Sequence, residues 1–280
     1  MPQDLSNFIP EIWSKKLSVL LDKSGVMMQC VNRDYEGEIK NSGDTVNIRT
    51  FGDVTVKSYT GSITYDELTS PTQQLLIDQK KYFAFKVDDV TKAQSNIDIM
   101  AGYLDRAKVA IDLAKDTFLL AKHADVPSGN IVGSETTPIA IDKDNIYANF
   151  VALGKALKKA NAIAKGQKPF IIINPDIEAL LIQAPEFIQA SQAGDKTLRE
   201  GSIGRIAGLD VLVCTNFEAV GGKHYVMAGT NNAVTFASQV VEVESIRLQD
   251  SFDTAVRGLY VYGAKTVVPN ALAKLICTVS

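Results

Sequence analysis

Two histidines, three cysteines and one tryptophan among 280 residues leave little from which to build a catalytic or metal centre. Cys30, Cys214 and Cys277 are far apart, odd in number and without C-x-x-C spacing. They read as three small buried hydrophobes in a reducing compartment, not as a disulfide framework. A zinc site would have to be completed by His123 and His224, and neither stands near a cysteine in sequence. His123 is expected at the C-terminal end of a helix, where the dipole favours a cationic ring, and His224 beside the Gly221-Gly222 turn. No cofactor is expected.

No apolar run reaches the roughly 18–20 residues that cross a bilayer, so no membrane association is expected. Met1 to Ile12 carries Asp4 and Glu11 and lacks a basic stretch followed by an apolar one, so no signal peptide is expected. There is no G-x-S-x-G elbow, Walker loop or G-x-G-x-x-G; Gly201-Ser202-Ile203-Gly204 is one residue short of the elbow. Asp88 and Asp89 are adjacent and would point to opposite faces of a strand. Asp142 and Asp144 suit turn and cap roles. The formal charge of −3 denies the chain the basic field of a protein that grips phosphates. These absences argue against an enzyme. The rival in that class is an α/β enzyme with a site spread through residues 145–280.

Hydrophobic residues make up 46% of the chain and charged ones 22%, the balance of a folded protein with a proper core. Residues 1–33 read as an arm: Trp13, Leu17, Leu20 and Leu21 fall at helical spacing before Gly25 breaks the pattern. This helix packs its tryptophan either into its own core or onto a neighbouring subunit.

Residues 34–90 change to strand signals, in Thr45–Arg49, Val54–Val56 and Tyr82–Val87. Ser58 to Pro71 between them is polar, Thr-rich and short of bulky aliphatics. Such a stretch buries itself poorly and is expected to project as a long hairpin, with arms of ~15 residues reaching ~50 Å. A lone hairpin is marginal in water, so a partner is expected at its tip. The alternative is an ordinary sheet.

Ser95 and Asp98 form an S-x-x-D start signature. Ile97, Met100, Leu104, Ala107, Ile111, Ala114, Phe118 and Ala121 then recur every three or four residues, which predicts one long helix from about 96 to 122. Asp105, Arg106, Lys108, Asp112, Lys115, Asp116 and Lys122 occupy its other faces. Val126 to Asp144 reads as a connector, and Asp144 as the cap of a second helix whose apolar face is Ile146, Phe150, Leu153, Leu157 and Ala160. Phe170–Ile173 reads as a buried strand. Asn174-Pro175 opens a third helix that stops near Pro185. Ala190 to Gly201 reads as a polar loop, and the remainder, ending in Leu272–Val279, is strand-like.

Several strings resemble a known family. Val31-Asn32-Arg33-Asp34-Tyr35-Glu36-Gly37-Glu38-Ile39 followed by Gly43-Asp44-Thr45-Val46 is similar to the opening of the extended loop in tailed-bacteriophage major capsid proteins. Tyr82-Phe83-Ala84-Phe85-Lys86-Val87-Asp88-Asp89 is similar to its close. Gly204-Arg205-Ile206-Ala207-Gly208-Leu209-Asp210-Val211 resembles that family's G-R-I-x-G-x-x-V hairpin.

The resemblance implies an α+β Hong Kong 97-like capsid fold. Its parts would be an N-terminal arm (1–33), an extended β-hairpin loop (34–90), a peripheral domain with a spine helix (91–144), an axial domain (145–243) and return strands to the peripheral domain (244–280). It implies a coat protein that assembles into pentamers and hexamers of an icosahedral shell enclosing double-stranded DNA, without sequence-specific binding. The location implied is the virion capsid, assembled in the host cytoplasm. A separate scaffolding protein and a portal would be partners. Subunit contacts are expected at Trp13, Leu17, Phe51, Val54, Val56, Tyr59 and Tyr65. Some members cross-link a lysine to an asparagine; Lys57 and Asn270 are the pair this chain offers, although no acid lies near Asn270 in sequence. An encapsulin-like compartment shell shares the fold and is the nearest alternative.

Overall fold

A computed structural model describes residues 25–35, 45–49, 56–59, 61, 63, 65, 67, 72–88, 99–163, 167–185, 204–217, 219–247 and 253–279. Trp13, Leu17, Phe51 and Val54, the 95–98 start signature and the 190–201 loop lie outside the described residues.

The organising layer is a mixed seven-stranded sheet. It comprises β4 (Ile131–Val132), β5 (Ile139–Ile141), β6 (Phe170–Ile173), β7 (Arg205–Ile206), β8 (Leu209–Val213), β9 (His224–Gly229) and β12 (Leu272–Val279). The order is β4-β12-β9-β6-β8-β7, with β5 also on β12. β6 lies at its middle and all four of its residues are buried. Ile171 and Ile173 face one core, Phe170 and Ile172 the other. A strand covered on both faces needs a continuous apolar run, which is what Phe170–Ile173 supplies.

The first core lies under α2 (Ile146–Lys159) and α3 (Pro175–Ile182), which bring Phe150, Leu153, Leu157, Ile177 and Leu181 onto the sheet. α3 starts as expected: the Asn174 side chain accepts from the Ile177 N–H at 3.1 Å, and Pro175 fills the first turn. The start of α2 differs. The N-cap position is Asn145, not Asp144, and no side chain caps the helix; just ahead of it Asp142 Oδ1 accepts the N–H groups of Asp144 and Asn145, both at 2.9 Å. An aspartate bonding two and three residues ahead forms an Asx turn, which leaves Asp144 in solvent.

The second core lies on the opposite face. It joins Met27, Cys30 and Val31 to Leu119 and Leu120 at the end of α1 (Ile99–Leu120), and to Val234, Phe236 and Tyr262 of two long strands. Those strands are β10 (Val234–Arg247) and β11 (Asp253–Thr266). With β3 (Gln79–Asp88) they form a separate antiparallel sheet in the order β10-β11-β3. Of the α1 stripe, Leu104, Ala107, Ile111, Ala114 and Phe118 are half-buried, while Asp105, Arg106 and Lys108 are exposed; the helix ends at Leu120, and Ala121, read as part of the stripe, is exposed in the 3-10 turn that follows. Its last turns depart from that reading. Lys115 and Asp116, assigned to the solvent face, are both buried, because this end of α1 is wrapped by the chain around Met27 and Cys214 as well as by the sheet.

A third cluster, Val46, Ile48, Leu75, Ile77, Ala237 and Val261, seats a two-stranded hairpin on β10 and β11. Its strands are β1 (Thr45–Arg49) and β2 (Thr72–Leu76), paired antiparallel from Thr45↔Leu76 to Arg49↔Thr72. Here the expected pairing is corrected. Tyr82–Val87 is a strand but does not close the hairpin: it lies in β3 and pairs with β11, from Asp253↔Asp88 to Tyr262↔Gln79. The 126–144 connector also holds two very short strands, β4 and β5, each parallel to β12. Two or three residues give no readable alternation, so these strands have no signal in the sequence.

Candidate assembly surfaces

The hairpin is anchored at one end and bare at the other. At its root, a Cβ on Gly263 would fall 2.1 Å from the Leu76 carbonyl oxygen, so only glycine lets β2 approach β11 this closely. Gln73 Nε2 also donates to the Val267 carbonyl at 3.1 Å. Among the described residues of the connection between Arg49 and Thr72, the apolar side chains are exposed. Val56 is 95% exposed, Tyr59 75%, Ile63 68% and Tyr65 92%. Full burial of large apolar side chains contributes about 1.5–3 kcal/mol each, and most of that is unrealised here in the isolated chain. Three of the expected contact residues, Val56, Tyr59 and Tyr65, fall here, and Ile63 is exposed beside them.

The arm's root is fixed at a buried carboxylate. Asp116 is fully buried. Its Oδ1 accepts the Met27 N–H at 2.8 Å, and its Oδ2 accepts Cys214 Sγ at 3.4 Å and Asn216 Nδ2 at 3.3 Å. Gly25 packs directly on it: a Cβ there would lie 3.0 Å from that of Asp116. Asn32 then bridges the outer edge of β10, donating from its N–H to the Val234 carbonyl and accepting the Phe236 N–H, each at 2.9 Å. The three cysteines are free and buried. Burial and, behind it, the Asp116 charge push the Cys30 thiol up to about 12 and that of Cys214 to about 11. Burial alone takes Cys277 to about 12. Thiols held protonated are poor nucleophiles.

Both histidines are partly buried and make local packing and capping contacts. His123 is half-buried, stacked on Tyr225 with ring centroids 4.7 Å apart and tilted against Phe217. Burial, followed by the Lys274 charge, lowers its pKa, so the aromatic packing opposes the cationic ring that the helix end would favour. His224 opens β9, and its Nδ1 meets Asn174 Nδ2, with Asp176 at 3.8 Å. It therefore braces the α3 cap. Lys57 and Asn270 are both exposed. Asn270 sits in the turn between β11 and β12, where its carbonyl accepts Asn130 Nδ2 at 3.0 Å.

An open groove of about 520 Å³ runs between α2 and the β7–β8 turn, lined by Val151, Gly154, Lys155, Lys158, Lys159 and Ala207. Lysine is the only ionisable type among these residues, so the groove lacks a paired acid and base.

Residues 72–275 match the phage capsid protein family, and the chain belongs to it. Its structure is similar to that of Mycobacterium phage Che8, with TM-score 0.78 and 28% identity over 96% of this chain and 97% of that one. It is similar also to the capsid of cyanophage P-SCSP1u, with TM-score 0.77 and 14% identity over 100% and 96%. The capsid of Ralstonia phage GP4 follows at TM-score 0.69 and 11% identity over 97% and 94%. No curated protein matches the sequence. The fold is thus the Hong Kong 97-like capsid fold, and the chain is a phage major capsid protein. The family match favours this over a compartment shell or an α/β enzyme.

Proposed function

We propose that copies of this chain form the pentamers and hexamers of an icosahedral shell around double-stranded DNA, and that the β1–β2 hairpin makes the contact that closes it. The observation that carries this reading is the contrast along the hairpin: a root fixed by Gly263 and the third core, and an outer connection whose Val56, Tyr59, Ile63 and Tyr65 are two-thirds or more exposed. Four large apolar side chains left exposed within ten residues suit a protein interaction site. The arm residues Trp13 and Leu17, with Phe51 and Val54, are assigned to the same set of subunit contacts.

The chain's role is structural, and its net charge of −3 suits a shell that confines DNA without gripping each phosphate. Assembly takes place in the host cytoplasm with a separate scaffolding protein and a portal. A lysine–asparagine cross-link, if formed between subunits, joins Lys57 to Asn270. The experiment is a V56S/Y59S/Y65S triple variant, which should keep its melting temperature yet give few shells by sedimentation. Wild-type shell yield from this variant would overturn the assignment of the hairpin.

A further inference from the structure

The seven-stranded sheet carries opposite charge at its two ends. β12 and β6 are both antiparallel to β9, so they run the same way. Ile141, the last residue of β5, is level with Val279 at the end of β12. α2 therefore begins at the edge of the sheet where β6 finishes, and α3 begins there too, directly after Ile173. That edge presents Asp144 and Asp176, both exposed, and half-buried Asp142, which together outweigh the exposed Lys143 between the two loop aspartates.

α2 runs back to the other edge. There its exposed Lys155, Lys158 and Lys159 meet the Ala207–Gly208 turn, just ahead of the Asp210↔Phe170 pair where β8 and β6 begin to run together. About 20 Å of helix separates the two charges.

The basic edge is shaped as well as charged. Ala207 and Gly208 both have positive φ, 50° and 85°, the pattern of a tight hairpin turn. Arg205 braces the turn by donating from Nε and Nη2 to the Gly208 carbonyl, at 3.1 and 2.9 Å. Gly154 leaves the groove open against the Ala207 carbonyl, and Val151, 44% exposed, gives it an apolar wall. Among the described residues, none of the three lysines has a carboxylate within ion-pair distance.

We infer that this groove seats the acidic edge of a second copy of the chain, with the neighbour's Asp144 and Asp176 lying against Lys155, Lys158 and Lys159. The inference rests on the capsomer reading above and specifies which faces meet. Opposite charges at opposite ends of one unit favour head-to-tail contact and disfavour like against like, and a head-to-tail contact whose rotation closes makes a ring. The acidic edge also exposes Ala140, Pro175 and Ala179, which supply apolar atoms for Val151. A nucleic-acid backbone would satisfy the lysines and leave Val151 without a partner.

The test uses charge reversal and mixing. K155E/K158E/K159E and D144K/D176K, each alone, should keep the wild-type circular dichroism spectrum and lose at least ten-fold in capsomer yield by native mass spectrometry. Mixed, they should recover hexamers, because each variant then offers the charge the other lacks. Capsomers from either variant at the wild-type yield, or no recovery on mixing two folded variants, would overturn the inference. Wild-type chain that forms no capsomer at all would instead overturn the assembly reading on which it rests.

Discussion

The backbone N–H of Met27 donates across 2.8 Å to Oδ1 of Asp116, a residue 89 positions away and fully buried. This bond ties the chain at Met27 to the end of α1. Asp116→Ala takes the acceptor from the Met27 N–H and one partner each from Cys214 and from Asn216, which keeps the Leu113 carbonyl and Thr117, and an unpaired buried donor costs about 1–3 kcal/mol. A loss of about 3 kcal/mol in urea unfolding is expected, and a smaller loss, about 1 kcal/mol, for Asp116→Asn, which keeps one acceptor oxygen. Gly25→Ala should cost about 1 kcal/mol through crowding against Asp116.

The same carboxylate should be visible through the cysteines. Its charge helps hold Cys30 and Cys214 protonated, while burial alone acts on Cys277. In Asp116→Asn, alkylation by iodoacetamide at pH 9 should speed up at Cys30 and Cys214 relative to Cys277, read by mass spectrometry. Equal acceleration at all three would instead report general loosening.

Two limbs of the pH–stability profile follow from raised and lowered pKa values. The native state keeps three thiol protons that the unfolded chain releases, so stability should be fully present below about pH 9 and fall towards pH 12. His123 has the opposite sign. Its pKa is lowered, so the unfolded chain takes up a proton first and stability falls as pH drops below 6.5. His123→Phe keeps the ring on Tyr225 and removes both the titration and a buried Nδ1 that lacks a partner. It should flatten the profile between pH 7 and 5 in thermal melts.

Gly263→Ala tests the hairpin's root. A methyl group 2.1 Å from the Leu76 carbonyl cannot be accommodated without moving β2. A destabilisation of about 1–3 kcal/mol is expected, with amide exchange rising first at Leu75 and Ile77, which belong to the third core. Uniform exchange across β6 and β12 would mean that the root does not yield locally.

Elements that carry their own pattern were legible in the sequence. Phe170–Ile173 read as buried because both faces are apolar, and Asn174-Pro175 opened α3 because cap and first turn adjoin. The α1 stripe from Leu104 to Phe118 followed from its three-and-four spacing. What was missed depends on contacts distant in sequence. Asp116 and Lys115 look like ordinary surface charges until Met27, Cys214 and Tyr260 close over that end of α1. Thr72–Leu76 gave way to Tyr82–Val87 as the closing arm because the aromatic stretch carries the stronger strand signal, while β-pairing is decided by the third core and by Gly263. Asp144 is not the cap of α2 because the Asx turn at Asp142, which reaches forward two or three residues, brings Asn145 to the N-cap position. For the proposed assembly surface, composition marked a stretch that buries itself poorly, and Val56, Tyr59 and Tyr65 within it are exposed. The lysine groove passed unnoticed because its second wall, Ala207, lies some fifty residues downstream.

The most direct measurement is electron microscopy of the purified full-length chain, alone and with a candidate scaffolding protein. Closed shells built of pentamers and hexamers are the predicted result. A chain that remains a folded monomer under every condition, with its hairpin exposed and no capsomer formed, would contradict the proposed function.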